Sequence, residues 1–281
     1  MADQIIPINC QSKNAGKDFV KSLHNTGFSI LYNHSLNTKL ISDVYEDWKL
    51  FFNSEEKSNY TFDPDKQDGY FPFRSENAKG YAIKDLKEFF HYYKWGKYPD
   101  NMSNNTIFLF NLLLDLGKEL LNWIDKYSPK DIKKLYSMPL SKMISDSQMN
   151  LLRILHYPPL KDEIIDGAIR AAAHGDINLI TILPAGSEPG LQILNNEGEW
   201  IDLDYNPGYL VINTGDMLSE CSRGYFPSTI HQVINPNDMR VNLSRYSMPL
   251  FIHPRDDVII SKKHTARSFL NERLKEIGLK T

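Results

Sequence analysis

The sequence predicts a mainly β fold with helical support, an α+β chain around a barrel or jelly-roll core. Two observations carry this. In the second half, short runs of strand-forming residues alternate with turn residues at regular spacing. In the first half, and again at the end, apolar residues recur at helical spacing instead. A chain of 281 residues allows one large domain or two small ones. The reading taken is a single domain over residues 1–281. In it a mainly helical region, 1–147, buttresses the sheet, a jelly-roll core spans 148–260, and a C-terminal helix occupies 261–281.

Ile5-Ile6-Pro7-Ile8 is a brief apolar run that predicts a leading strand, and a helical pattern follows from Ala15 to Leu23. Gly27 to Tyr32 alternates apolar residues and predicts a strand. Asn37 is placed to cap a helix from Thr38 to Phe52, with Ile41, Val44, Trp48 and Phe51 on one face. Residues 60–80 are rich in Asp, Pro, Gly, Asn and aromatics and predict loop. An apolar helix over 105–127 is the expected spine under the sheet. Strands are then predicted at Gln148–Tyr157, Arg170–Ala173, Leu179–Leu183, Leu191–Leu194, Trp200–Leu203, Tyr209–Ile212, Ile230–Ile234 and Leu243–Ile252. Thr265 is placed to cap a last helix, to Ile277, with Phe269, Leu270, Leu274 and Ile277 as its stripe.

Composition narrows the class. At 41% hydrophobic and 24% charged residues, the chain reads as globular rather than disordered or fibrous. A net charge of -3 without a block of like charge offers no basic face to nucleic acid. Cys10 and Cys221 lie far apart, without CxxC or zinc spacing, and predict free thiols in a reducing cytosol. Met1-Ala2-Asp3-Gln4 lacks the basic start of a secretion signal. The most apolar stretch, Ile107 to Trp123, carries Asp115, Lys118 and Glu119 and is too polar for a bilayer. A cytoplasmic protein without membrane partners is expected.

His174-Gly175-Asp176 is the first chemical motif, and 54 residues separate it from His231. Residues i and i+2 of a strand point the same way, so His174 and Asp176 are expected to share a face. His231 opens a later strand, expected across the barrel. Two imidazoles and one carboxylate suit non-haem Fe(II) and leave coordination positions open. Taken alone, His-x-Asp is a near-chance match among eight histidines, and a hydrogen-bonded His–Asp pair remains the alternative. Arg245-Tyr246-Ser247 again sets two residues on one face, where a guanidinium fork and a hydroxyl can receive a carboxylate. In Arg153-Ile154-Leu155-His156-Tyr157-Pro158-Pro159, Tyr157 falls at a strand end within reach of a ligand.

The order His-x-Asp, His, Arg-x-Ser resembles the 2-oxoglutarate/Fe(II) dioxygenase superfamily, and its isopenicillin N synthase-like branch more closely. Gly27-Phe28, Asn33-His34, His156-Tyr157-Pro158-Pro159, Gly190-Leu191-Gln192, Asn213-Thr214-Gly215-Asp216-Met217 and Ser228-Thr229-Ile230-His231 carry the resemblance over residues 5–279. It implies a double-stranded β-helix (jelly roll) core with N-terminal helices and a C-terminal helix. It implies Fe(II) on His174, Asp176 and His231. It also implies 2-oxoglutarate on Arg245, Ser247 and Tyr157, with O2 consumed and succinate and CO2 released. Leu155 stands where plant relatives carry Asn, which puts cosubstrate contacts from that strand in doubt. Asp176 is intact where related halogenases have a small residue, which argues against halogenation.

The implied reaction is hydroxylation of a small molecule, or desaturation or ring closure, by a monomer or weak homo-oligomer. The segments Gly69–Arg74, Lys79-Gly80 and Asp85–His91 resemble the part that lines substrate in this branch. Arg74 is the first candidate partner for a substrate carboxylate, with Lys79, Glu88 and His91 behind it. Arg170 is a pocket candidate, while Phe226 and Tyr225 are expected at the barrel rim. Two alternatives remain. One is an isopenicillin N synthase-type oxidase that uses O2 without 2-oxoglutarate. The other is a metal- or carboxylate-binding relative without turnover.

Overall fold

The computed structural model describes residues 5–76, 83–160, 168–204, 206–235 and 242–276. Strand β1 (Ile8–Asn9) leads into helix α1 (Ala15–Thr26), strand β2 (Phe28–Tyr32) and helix α2 (Thr38–Phe52). Gly27 ends α1 with φ at 70°, and its N–H donates to the Leu23 carbonyl. A side chain there would also collide with Thr229, since a Cβ would lie 2.3 Å from Thr229 Oγ1. The Asn37 side chain accepts from Lys39 N at 2.8 Å, the cap the sequence implied. Strands β3 (Gly69–Phe71) and β4 (Glu88–Tyr92) precede helix α3 (Asn105–Tyr127), followed by the short turns α4 (Lys130–Lys133) and α5 (Leu140–Met143).

The second half contains β5 (Leu151–Tyr157), β6 (Ala171–His174), β7 (Ile180–Pro184), β8 (Leu191–Leu194), β9 (Trp200–Asp202) and β10 (Leu210–Thr214). Helix α6 (Asp216–Cys221), strands β11 (His231–Val233), β12 (Arg245–Ser247) and β13 (Leu250–Ile252), and helix α7 (Ala266–Glu276) complete it. One nine-stranded sheet runs β1-β2-β10-β7-β13-β5-β4-β3, with β12 also paired to β5. A four-stranded sheet runs β6-β11-β8-β9.

The larger sheet is buried on both faces. On one, α1, α2 and α3 pack through Leu23, Trp48, Phe110, Leu113 and Leu120 against Ile154, Ile182 and Ile212. On the other, Phe28, Ile30 and Val211 meet Ile193 of the small sheet, while Phe89, Leu155 and Tyr157 meet Ala171 and Val233. This is the jelly-roll arrangement, and double burial explains why its central strands read as almost continuous apolar runs. No helix among the described residues is long and apolar enough to cross a membrane.

Two expectations need correction. The 60–80 loop contains β3, and β4 follows, so the 1–147 region supplies four strands of the large sheet as well as its helices. These strands have only three and five residues, and β4 is paired to distant β5 while β3 adds at the edge of β4, which no local pattern shows. The single strand expected over Leu243–Ile252 is two, broken at Met248-Pro249, where proline has no N–H to donate. At the end, Thr265 Oγ1 accepts from Ser268 N at 3.2 Å as a cap, while Ile277 lies outside the described residues.

Gly215 follows β10 at a tight crossing, where a Cβ would sit 2.2 Å from the Asn178 carbonyl oxygen. Because the obstacle is backbone, Gly215→Ala is expected to cost about 1–3 kcal/mol. Gly208→Ala, whose Cβ would find only Asn206 Oδ1 at 3.5 Å, serves as the mild control. Urea unfolding at constant m-value measures both.

Candidate metal centre and anion seat

His174 and His231 are cross-strand partners in the register of β6 and β11. They are therefore neighbours within the small sheet, not residues facing each other across the barrel as the spacing suggested. A register shift between His231 and Val233 pairs Val233 with Ala171, three residues before His174. Such a bulge turns His174 to the same side as Ala171, toward the large sheet. The i, i+2 expectation also fails in detail, because β6 ends at His174 and Asp176 lies beyond it. The return of the chain carries the carboxylate inward: the Asp176 carbonyl accepts from Asp216 N at 2.7 Å.

His174 Nδ1 lies 2.7 Å from the Ala172 carbonyl, and His231 Nδ1 lies 3.2 Å from that of Thr229. A carbonyl only accepts, so both Nδ1 atoms carry a proton and Nε2 is the ring atom left to ligate a metal. Asp176 Oδ2 accepts from Thr181 Oγ1 at 2.5 Å and from Asn213 Nδ2 at 2.7 Å. Its other oxygen, Oδ1, is 3.7 Å from His231 Nε2. One donor atom from each of the three residues lies within 4.8 Å of the others. Burial, then His231, pushes the His174 pKa down to about 4, so the ring is neutral at pH 7. Burial opposes ionisation of Asp176, but His231, His174, Asn213 and Thr181 together outweigh it and hold its carboxyl below the usual range. Two imidazoles and an ionised carboxylate, each braced from behind, form a donor set that fits a divalent transition metal with open positions.

The second constellation lies on the facing sheet. Arg245 is the register partner of Tyr157, and Ser247 that of Leu155. The Arg245 guanidinium carbon stands 5.3 Å from the centre of the Tyr157 ring. Its Nε donates to the Glu188 and Pro189 carbonyls at 3.0 and 3.2 Å, while its buried Nη1 has no partner. Arg170, 3% exposed, donates through Nη2 to the Leu243 carbonyl at 2.7 Å and leaves a buried Nε without partner. Burial, then the charge of Arg245, lowers the Arg170 pKa. Neither guanidinium has a hydrogen-bonded carboxylate among the described residues. Glu188 is the acid whose charge reaches Arg170, so the two guanidinium groups leave a pocket of net positive charge that fits an anion.

The remaining candidates separate. Arg74 is exposed, with φ at 60° and its guanidinium over Phe73, and stands apart from these groups. Lys79 lies outside the described residues. His91 is buried, but its nitrogens are taken by the Gln67 carbonyl and by Arg153 Nε, each at 2.8 Å. Glu88 points to the helix side, where Lys57, Tyr70 and His156 bind it. Phe226 is fully buried in the main core rather than on a rim, and Tyr225 stacks on His24.

Sequence reading missed a buried ionic group. Lys87 Nζ donates to Asp85 at 2.8 Å and to Glu76 at 2.9 Å, and Arg153 binds Glu76 through both Nη atoms. Asp85 in turn accepts from Ala172 N, beside the metal-strand histidine. The alternation Asp85, Lys87, Phe89, His91 was the available signal.

Comparison with known proteins agrees with the geometry. Residues 148–254 match the 2OG-Fe(II) oxygenase superfamily, and residues 7–110 match the N-terminal family of non-haem dioxygenases in morphine synthesis. A candidate oxygenase from Shewanella oneidensis is 47% identical with a TM-score of 0.89, over 98% of this chain and 99% of that one. A candidate 2OG-Fe(II) oxygenase family protein from Caulobacter crescentus is 32% identical with a TM-score of 0.79, over 97% and 99%. A 2-oxoglutarate-Fe(II) type oxidoreductase of Aspergillus fumigatus is 24% identical over 84% of this chain and 75% of its own.

Two outcomes follow. Asn213→Ala removes one of the two hydrogen bonds to Asp176 Oδ2 and is expected to weaken Co(II) binding by about 10-fold or more in calorimetry. The metal-free fold is expected to be acid-sensitive. Burial first of all pushes His91 to about 3 and His174 and His253 to about 4. Between these values and the free-histidine value of about 6.5 only the unfolded chain binds the protons, so stability falls as pH falls. The slope is about 1.4 kcal/mol per pH unit per histidine at most. His91→Gln should make the acid limb of a stability–pH curve shallower by one histidine.

Proposed function

Because the chain belongs to the 2OG-Fe(II) oxygenase superfamily, we propose that His174, Asp176 and His231 hold Fe(II) and that Arg245, Ser247 and Tyr157 seat the distal carboxylate of 2-oxoglutarate. The protein is an oxidoreductase that consumes O2 and 2-oxoglutarate and releases succinate and CO2 as a substrate is oxidised. One observation carries the cosubstrate assignment. Arg245 is a buried cation with an unpartnered Nη1, on the sheet that faces the His–Asp–His group.

Bound there, Fe(II) with 2-oxoglutarate would supply the redox chemistry for oxidising a substrate C–H bond with O2. The protein supplies position. Ala172 and Thr229 carbonyls hold Nδ1 of each ring, so that Nε2 is the atom that would bind the metal. Thr181 and Asn213 both hold Asp176 Oδ2, which leaves Oδ1 as the ligand atom. Phe71, Phe89, Leu155, Tyr157, Ala171 and Val233 form an apolar wall between the sheets that keeps water from the reacting groups. Leu155 belongs to this wall, opposite Ser247, and so contributes packing where some relatives have an amide.

The substrate is a small molecule, and hydroxylation is the reaction. The low net charge and the absence of a membrane-length helix among the described residues support action in the cytoplasm. Adding 2-oxoglutarate to the anaerobic Fe(II) protein is expected to produce a metal-to-ligand charge-transfer band. No band would point instead to an oxidase that takes all its electrons from substrate. Arg245→Gln is expected to raise the dissociation constant for 2-oxoglutarate by about 10- to 100-fold, the worth of one charged hydrogen-bonded pair. Metal affinity should not change.

A further inference from the structure

Arg170 and Arg245 differ from the other described arginines. Arg153, Arg255, Arg267 and Arg273 each pair with a carboxylate, on Glu76, Asp257, Asp256 and Glu276. Arg74 and Arg223 are exposed. Arg170 and Arg245 are both 3% exposed, and among the described residues neither pairs with an acid. Their anchors are backbone carbonyls: Leu243 for Arg170, Glu188 and Pro189 for Arg245. Those contacts fix the two planar groups without neutralising them.

The two groups also share one place. Arg170 is held by the carbonyl of Leu243, two residues before Arg245 on the same segment. Its neighbour Ala171 packs in the same apolar cluster as Tyr157, the residue over which the Arg245 guanidinium lies. Arg245, Tyr157 and Glu188 are the groups whose charge Arg170 feels. Two like charges buried together repel, and each keeps a buried N–H without partner, Nε on Arg170 and Nη1 on Arg245. Both costs are relieved by one anion that accepts from the two forks.

We propose that Arg170 is the second arm of the cosubstrate seat, and that it and Arg245 grip the distal carboxylate of 2-oxoglutarate from two sides. This rests on the cosubstrate reading above and moves Arg170 from substrate recognition to cosubstrate recognition. A second guanidinium makes the seat selective for keto acids with a distal carboxylate, because a neutral tail would leave two buried cations uncompensated.

The test is calorimetric binding of 2-oxoglutarate and of 2-oxobutyrate, which lacks the distal carboxylate, to Ni(II)-substituted protein under conditions without turnover. Arg170→Gln is expected to weaken 2-oxoglutarate by about 10- to 100-fold. It should leave 2-oxobutyrate and Ni(II) affinity unchanged. Arg170→Lys keeps the charge but loses the planar fork, and should fall between wild type and Arg170→Gln. Should Arg170→Gln fail to fold, the Lys variant carries the comparison. Equal weakening of both keto acids would mean that Arg170 only braces Leu243, and would overturn the proposal. Unchanged 2-oxoglutarate affinity in both variants would overturn it as well, with the cosubstrate reading intact. A wild-type protein that does not prefer 2-oxoglutarate over 2-oxobutyrate would remove the cosubstrate reading itself.

Discussion

The Asp176 carboxylate is the constraint on which the site and the meeting of the two sheets depend. It is buried and ionised, a state that costs several kcal/mol unless every lone pair and the charge are answered. The large sheet answers one oxygen, through Thr181 on β7 and Asn213 on β10. The small sheet faces the other through His231. A single side chain thereby ties the two layers at the point where the metal belongs, and its own backbone is held by Asp216 N. The neighbouring tight crossing of Gly215 and Asn178 exists because the chain must return from β6 to the large sheet within a few residues.

Buried charge elsewhere shows where ligand charge is needed. Glu76, Asp85, Lys87 and Arg153 neutralise one another, and His91 beside them stays neutral. Glu88 is shared by Lys57, Tyr70 and His156. These groups are complete as they stand and stiffen β3, β4 and β5, the strands that wall the pocket. Arg170 and Arg245 are the contrast, two cations whose hydrogen bonds go only to carbonyls. The local protein charge is balanced at the first group and unbalanced at the second, so the anionic ligand belongs at the second.

Much of this was legible in residue order, and the misses have physical causes. Helices α2 and α3 were readable because their caps and apolar stripes are local features. The pairing of Arg245 with Tyr157 was half-visible, since two separate motifs each pointed to a ligand. By contrast, β3 and β4 are too short to show a period; β4 forms on distant β5, and β3 on β4. The bulge beside His174 shifts register by one residue, which no spacing rule reveals. Arg74 and Lys87 illustrate the same limit. The positive charge in the loop looked available, yet Arg74 is at the surface, while Lys87, hidden in an aromatic run, is the one turned inward.

The central claim is that one chain brings three protein ligands and a separate carboxylate seat to one metal. An anaerobic crystal structure with Fe(II) and 2-oxoglutarate tests it most directly. The account predicts iron on His174 Nε2, His231 Nε2 and Asp176 Oδ1, with the keto acid end of 2-oxoglutarate on the iron and its far carboxylate at Arg245. Iron bound elsewhere, or a far carboxylate directed away from Arg245, would contradict it.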